Sequence, residues 1–142
     1  MGLGLMTDLL LDTDHAIEFL KGNHKVASAL KAAIQKGQKV FLAAPSLGEL
    51  YEGALRARQP DRELQRINDL VNLLDGVLPF DASTALKFGE VKATLSGHGQ
   101  TIPDIDAQIA AIALVHGLSV ISNDRHLRTV AKIFPLTVLS WR

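Results

Sequence analysis

Residues 8–13, DLLLDT, set three consecutive leucines between two carboxylates. A strand that is apolar on both of its faces belongs in the middle of a sheet covered on both sides, which is the setting of parallel strands. Runs of the same kind recur at KVFLAA (39–44), LSVIS (118–122) and LTVLSW (136–141), with GVLPFD (76–81) a weaker fifth. Helical patterns lie between them. AIEFLKGNHKVASALKAAIQKG (16–37) stops at Gly37, SLGELYEGALRAR (46–58) opens on Ser46, DASTALKFGEVKATLSG (81–97) opens on Asp81, and DAQIAAIALVHG (106–117) stops at Gly117. RARQPDRELQR (56–66) reads as a turn between two helices. Strands alternating with helices predict a doubly wound α/β fold, a parallel sheet of about five strands in three α/β/α layers.

Bulk properties narrow the class. A chain of 142 residues with 47% hydrophobic and 21% charged content is expected to form one domain, residues 1–142, around a real core. The absence of cysteine excludes disulfides, thiolate nucleophiles and zinc–sulfur sites, and fits a cytoplasmic setting. The start MGLGLMTDLLLD lacks the basic region of a signal peptide, Met6 stands as an alternative start, and no apolar run approaches the ~18 residues of a membrane span. Lys+Arg 15 against Asp+Glu 15 gives formal net charge +0, so any nucleic-acid role needs a local patch of cations rather than long-range attraction.

In a doubly wound fold the ligand crevice lies beyond the carboxyl ends of the strands. The polar residues expected there are acids. Asp12 and Asp14 follow the first strand, Glu49 lies in the helix after the second, Asp104 and Asp106 open the helix before LSVIS, and Asp124 follows it. Carboxylates crowded into one crevice raise each other's pKa and need a cation or protons to offset them. Oxygen ligands without Cys or an ordered His pair suit a hard ion, Mg²⁺ or Mn²⁺. Such an ion, held with open positions, suits phosphodiester hydrolysis.

Each acid also has a local structural use. Glu49 stands three residues after Ser46, so SLGE matches a capping box worth about 1 kcal/mol. Asp104, beside Pro103, is either a helix cap or a ligand; a second acid at Asp106 adds only a few tenths of a kcal/mol to the first turn, about what the helix dipole provides, which leaves one of the pair free for metal. Asp12 gains little from the fold and is the strongest candidate. Asp124 doubles as an N-cap for RHLRTVAKI.

At this point the sequence resembles the PIN domain family, and within it the VapC-type toxins of toxin–antitoxin pairs, nearly from end to end. LLLDTDHAIEFL resembles the opening motif, with Asp12 in the first metal-ligand place, and SLGELYEGA resembles the second, with Glu49. GQTIPDIDAQIAAIALVHGLSVISND resembles the third and fourth, with Asp106 and Asp124, and LTVLSW resembles the closing strand. Asp14 stands where the family often has Asn, and Asp104 is an added acid; both are taken as groups beside the ligands. The resemblance implies a Mg²⁺-dependent endoribonuclease that cuts structured RNA, tRNA or rRNA, through a metal-activated water. It also implies a homodimer and a cognate antitoxin whose tail enters the acidic crevice.

RNA needs cations beside that crevice. Arg125, Arg128 and Lys132 fall at helical spacing after Asp124, and Arg56, Arg58, Arg62 and Arg66 cluster around the second helix; each set also reads as a solvated face. Aromatic content of 5% argues against a base-stacking platform. The histidines, His15, His24, His98, His116 and His126, show no ligand spacing; His15 is expected at an exposed helix start and His116 at a helix C-terminus. No GxSxG or glycine-rich phosphate loop occurs. The alternatives are a haloacid-dehalogenase-like phosphohydrolase, since DTD also matches a DxD motif, a phosphoacceptor signalling domain, and a non-catalytic RNA- or partner-binding domain. The first two want a lysine at a later strand end, where LSVISND and LTVLSW offer none.

Overall fold

The computed structural model describes residues 6–142, so the first five residues of the expected start lie outside the described residues. The elements run β1 (Leu9–Leu11), α1 (Thr13–Leu20), α2 (His24–Gln35), β2 (Val40–Ala43), α3 (Ala44–Leu55) and α4 (Pro60–Leu73). They continue with β3 (Gly76–Leu78), α5 (Ala82–Gly97), α6 (Asp104–His116), β4 (Ser119–Ile121), α7 (Arg125–Ala131) and β5 (Val138–Leu139). All five apolar runs form strands, and every pairing is parallel.

The strand order is β3-β2-β1-β4-β5. Leu9, Leu10 and Leu11 of β1 are all buried because β1 is the central strand, hydrogen-bonded on one edge to β2 and on the other to β4. Their side chains alternate, as a strand's period of two requires. Leu10 joins Val120, Ile109, Ile112 and Leu127 in the core under α5, α6 and α7. Leu9 and Leu11 join Leu42, Leu50, Leu70 and Ile121 in the core under α1 to α4. The sheet is thus the middle of three layers, as the alternation of strands and helices predicts.

Helix α6 is apolar almost all round: Ala107, Ile109, Ala110, Ala111, Ile112 and Ala113 are buried, and its small alanines allow close packing against sheet and neighbours. It stops where Gly117 takes the left-handed conformation, φ 66°. Helix α5 opens on Asp81, whose carboxylate accepts the Thr84 N–H while Thr84 Oγ1 accepts the Asp81 N–H, a reciprocal cap.

Two helix readings are corrected. The pattern over 16–37 is not one helix, because Gly22 adopts φ 84° and Asn23 caps a new helix by accepting the Val26 N–H at 3.1 Å. The SLGE capping box does not form. Strand β2 runs directly into α3, which starts at Ala44 with Pro45 in its first turn, so Ser46 lies inside the helix rather than ahead of it. Ser46 is fully buried, and among the described residues its Oγ has no hydrogen-bond partner. A buried hydroxyl without a partner costs about 1–3 kcal/mol. Ser46→Ala is therefore expected to raise the unfolding free energy by about 1 kcal/mol in a denaturant titration; a loss of stability would show that the hydroxyl has a partner in solution.

Candidate active site

The chain builds β1, β2 and β3 outward to one side, then crosses over to place β4 and β5 on the other. The direction of winding reverses between β1 and β4, and their carboxyl ends flank the crevice such a reversal opens. Asp12 follows β1 there, and Ser122, Asn123 and Asp124 follow β4.

Asp12 is 4% exposed. One carboxylate oxygen accepts the Thr13 N–H at 2.8 Å, which starts α1, and the other accepts the Ser122 hydroxyl at 2.5 Å. Burial, partly offset by the Ser122 bond and reinforced by Asp14 and Asp106, pushes the Asp12 carboxyl up to about 7. Asp106, in the first turn of α6, is 7% exposed. Burial and the charges of Asp124, Glu49 and Asp14 push it up to about 6. Asp124 caps α7 by accepting the His126 N–H at 2.7 Å, and its own N–H donates to Ser122 Oγ at 2.9 Å. Ser122 therefore ties Asp12 to Asp124 across the crevice. Glu49 reaches in from α3 and accepts the Thr13 hydroxyl at 2.6 Å.

Asp14 behaves differently. Burial raises its carboxyl, but hydrogen bonds from the His15 side chain and the Asn123 N–H outweigh that and leave it below the ordinary value. Asp104 is outside the cluster: its exposed carboxylate pairs with Lys92 at 2.8 Å, and Pro103, not Asp104, holds the N-cap position of α6. It is thus neither beside the ligands nor the cap.

Donor atoms of Asp106, Asp124 and His126 all lie within 4.8 Å of one another, a spacing that one divalent cation can span. The oxygen-rich donor set fits a hard cation, and such an ion would offset both the burial that chiefly raises Asp12 and Asp106 and the repulsion from neighbouring acids that adds to it. His126 is the residue the sequence reading missed. Its signal is an acid that caps a helix with an imidazole two positions on, which puts both at the same helix end. His15 also departs from expectation, being fully buried rather than exposed. His116 lies in the last turn of α6, as expected.

Arg125 and Arg128 are exposed on α7, directly beyond Asp124, and Lys132 caps that helix at its other end. Among the described residues neither arginine forms an ion pair. The second basic set is half neutralised, with Arg56 on Glu52 at 2.9 Å and Arg66 near Glu63 at 3.6 Å. No helix among the described residues is long and apolar enough to cross a membrane.

The sequence profile of the PIN domain matches residues 9–133. The chain is 31% identical to Ribonuclease VapC2 of Haemophilus influenzae over 136 residues, covering 96% of this chain and 99% of that protein. It is 31% identical over 119 residues to the tRNA(fMet)-specific endonuclease VapC of Shigella flexneri, covering 84% and 88%. Its backbone is similar to the crystal structure of DNA-bound VapBC from Salmonella typhimurium, with a TM-score of 0.83, 25% identity and coverage of 96% of this chain and 100% of that one.

The raised carboxyls give a pH signature. With folded values of about 7 and about 6 against 3.8, Asp12 and Asp106 hold protons in the folded state that the unfolded state has already lost. Their contribution to the stability of the metal-free protein therefore falls as pH rises from about 4 to about 7. Divalent cations compete with those protons, so the rise in Tm on adding Mn²⁺ is expected to be larger near pH 7.5, about half a unit above the higher value, than near pH 5.5, about half a unit below the lower. Thermal unfolding with and without Mn²⁺ at both pH values checks this; an equal rise at both would separate the metal from these two acids.

Proposed function

The chain belongs to the PIN domain family, and within it to the VapC ribonucleases, and on that footing we propose that it is a metal-dependent endoribonuclease, the toxin of a toxin–antitoxin pair. The observation that carries this is the gathering of Asp12, Glu49, Asp106 and Asp124 from four separate segments at the reversal point of the sheet, with two of them pushed toward neutrality. Asp106, Asp124 and His126 are the residues that would hold a divalent ion, with Asp12 and Glu49 completing the acidic wall. Mg²⁺ is the physiological ion in this reading and Mn²⁺ its substitute. When bound, the ion supplies a nucleophilic water at neutral pH and neutralises charge on the phosphate under attack.

The protein's own groups do the rest. Ser122 holds Asp12 and the Asp124 backbone in one arrangement, and Thr13 holds Glu49. Arg125 and Arg128, unpaired among the described residues, offer cations beside the acids, which a chain of zero net charge needs in order to hold a polyanion. The substrate is structured RNA, tRNA or rRNA, and the Shigella flexneri relative, named for tRNA(fMet), favours tRNA. The chain acts as one domain in the cytoplasm, as a homodimer, held by a cognate antitoxin; the VapBC complex that its backbone matches supports that partner. A phosphohydrolase of the DxD kind would want a lysine near a strand end, and PFDA after β3, SNDR after β4 and SWR after β5 contain none.

The test is cleavage of a labelled tRNA pool by the purified protein in Mg²⁺ or EDTA, beside Asp106→Asn. Discrete fragments that need metal and fall by about a hundredfold or more in the mutant are expected, the loss typical of removing one preorganised electrostatic group; intact RNA in both Mg²⁺ and Mn²⁺ would sink the nuclease reading for this substrate.

Arg125→Ala is expected to weaken RNA binding with Tm unmoved, and to lower the salt dependence of binding by about one counterion. Unchanged cleavage and salt dependence would take Arg125 out of the interface.

A further inference from the structure

Among the buried titratable groups of the described residues, Asp12, Asp106 and His15, the last is the one the chemistry above leaves without a task. It is 0% exposed, and both ring nitrogens are engaged. Nε2 accepts the backbone N–H of Trp141 at 3.1 Å, which puts the ring proton on Nδ1, and Nδ1 donates it to Asp14 Oδ1 at 2.8 Å. The other Asp14 oxygen accepts the backbone N–H of Asn123 at 2.9 Å, one residue before Asp124. Two N–H donors thus converge on position 14 from opposite sides. A carboxylate accepts both, whereas an amide accepts one and meets the other with its own N–H.

Residues 140–142 grip the same loop from outside. With the Asn123 amide oriented to satisfy both its ends, its nitrogen donates to Ser140 Oγ at 2.5 Å and its oxygen accepts from Arg142 Nε at 2.6 Å. Arg142 also reaches Glu18 of α1 at 3.0 Å. The Trp141 ring packs edge-on against His15, centroids 6.4 Å apart, and lies partly buried against the core under α1 to α4.

We infer that His15 and residues 140–142 are positioning elements of the metal centre: through Asp14 and Asn123 they fix the 122–124 loop and with it the place of Asp124. Asp14 is then a brace, with each oxygen committed to an N–H donor, rather than a ligand. This rests on the metal-site reading above. Core packing alone would explain a partly buried Trp141, but not a chain of directed bonds that runs from Trp141 through His15 and Asp14 to the residue beside a ligand.

The test is calorimetric titration of Mn²⁺ into the wild type, His15→Phe, Asp14→Asn and the double variant, with Tm measured for each. His15→Phe keeps the ring and its contact with Trp141 but removes both hydrogen bonds. It is expected to weaken Mn²⁺ binding by about tenfold or more, the range for losing a group that orients a metal ligand. Asp14→Asn weakens binding too, through lost charge as well as lost bonds, and the double variant is expected to fall short of the product of the two factors. Unchanged Mn²⁺ affinity in His15→Phe, even with a lower Tm, overturns the inference, and so do two factors that multiply fully. Where His15→Phe does not fold, Ser140→Ala with Arg142→Ala frees Asn123 from the surface; weaker Mn²⁺ binding upholds the brace and unchanged binding overturns it. A wild type that binds no Mn²⁺ instead overturns the metal-site reading, and the brace falls with it.

Discussion

Carboxylates at the ends of β1 and β4, joined by others from α3 and α6, repel one another across a crevice partly closed to water, and the surrounding structure exists to hold them there. The backbone meets part of that demand. Asp12 and Asp124 each begin a helix, so the first N–H groups of α1 and α7 face their negative charge. Ser122 meets another part, because one hydroxyl donates to Asp12 and accepts from Asp124. What remains is seen in the carboxyls of Asp12 and Asp106, displaced upward first by burial and then by their acidic neighbours, a buried negative charge that a divalent ion or a proton must answer.

The same demand explains how a neutral chain comes to handle a polyanion. The positive charge would be local: a divalent ion that the crevice is suited to hold, and Arg125 and Arg128, which form no ion pair among the described residues, on the helix that Asp124 caps. The arginines of the α3–α4 turn are a weaker match, because Arg56 and Arg66 are already engaged by Glu52 and Glu63. Asp104 shows that acidity alone does not make a site residue. It is only two positions from Asp106, but it lies on a different face of α6, and Lys92 neutralises it there.

The fold was largely legible because its signals are local. DLLLDT, KVFLAA and LSVIS are apolar on both faces, and a run of that kind has few places to go but a doubly covered sheet. Gly117 and Asp81 ended and began helices where their backbone chemistry says they should. The misreadings share a cause. Continuous periodicity over 16–37 hid the break at Gly22 and Asn23. The match of SLGE to a capping box ignored Pro45, which lets β2 run straight into α3 and buries Ser46 inside it. His15 looked exposed because nothing near it in sequence buries it, and the Trp141 that does is 126 positions away.

By itself the sequence determined the class of fold, the set of acids and the kind of ion they suit, since strand and helix formation and donor chemistry are properties of short stretches. Only the tertiary structure decided which of those acids meet. The order β3-β2-β1-β4-β5 puts the reversal between β1 and β4 and so joins Asp12 to Ser122, 110 positions apart. It also turned Asp104 away, brought His126 to Asp106 and set His15 behind Asp14. Burial, pairing and charge coupling are long-range in the chain but short-range in space, so their outcome is fixed only once the sheet has closed.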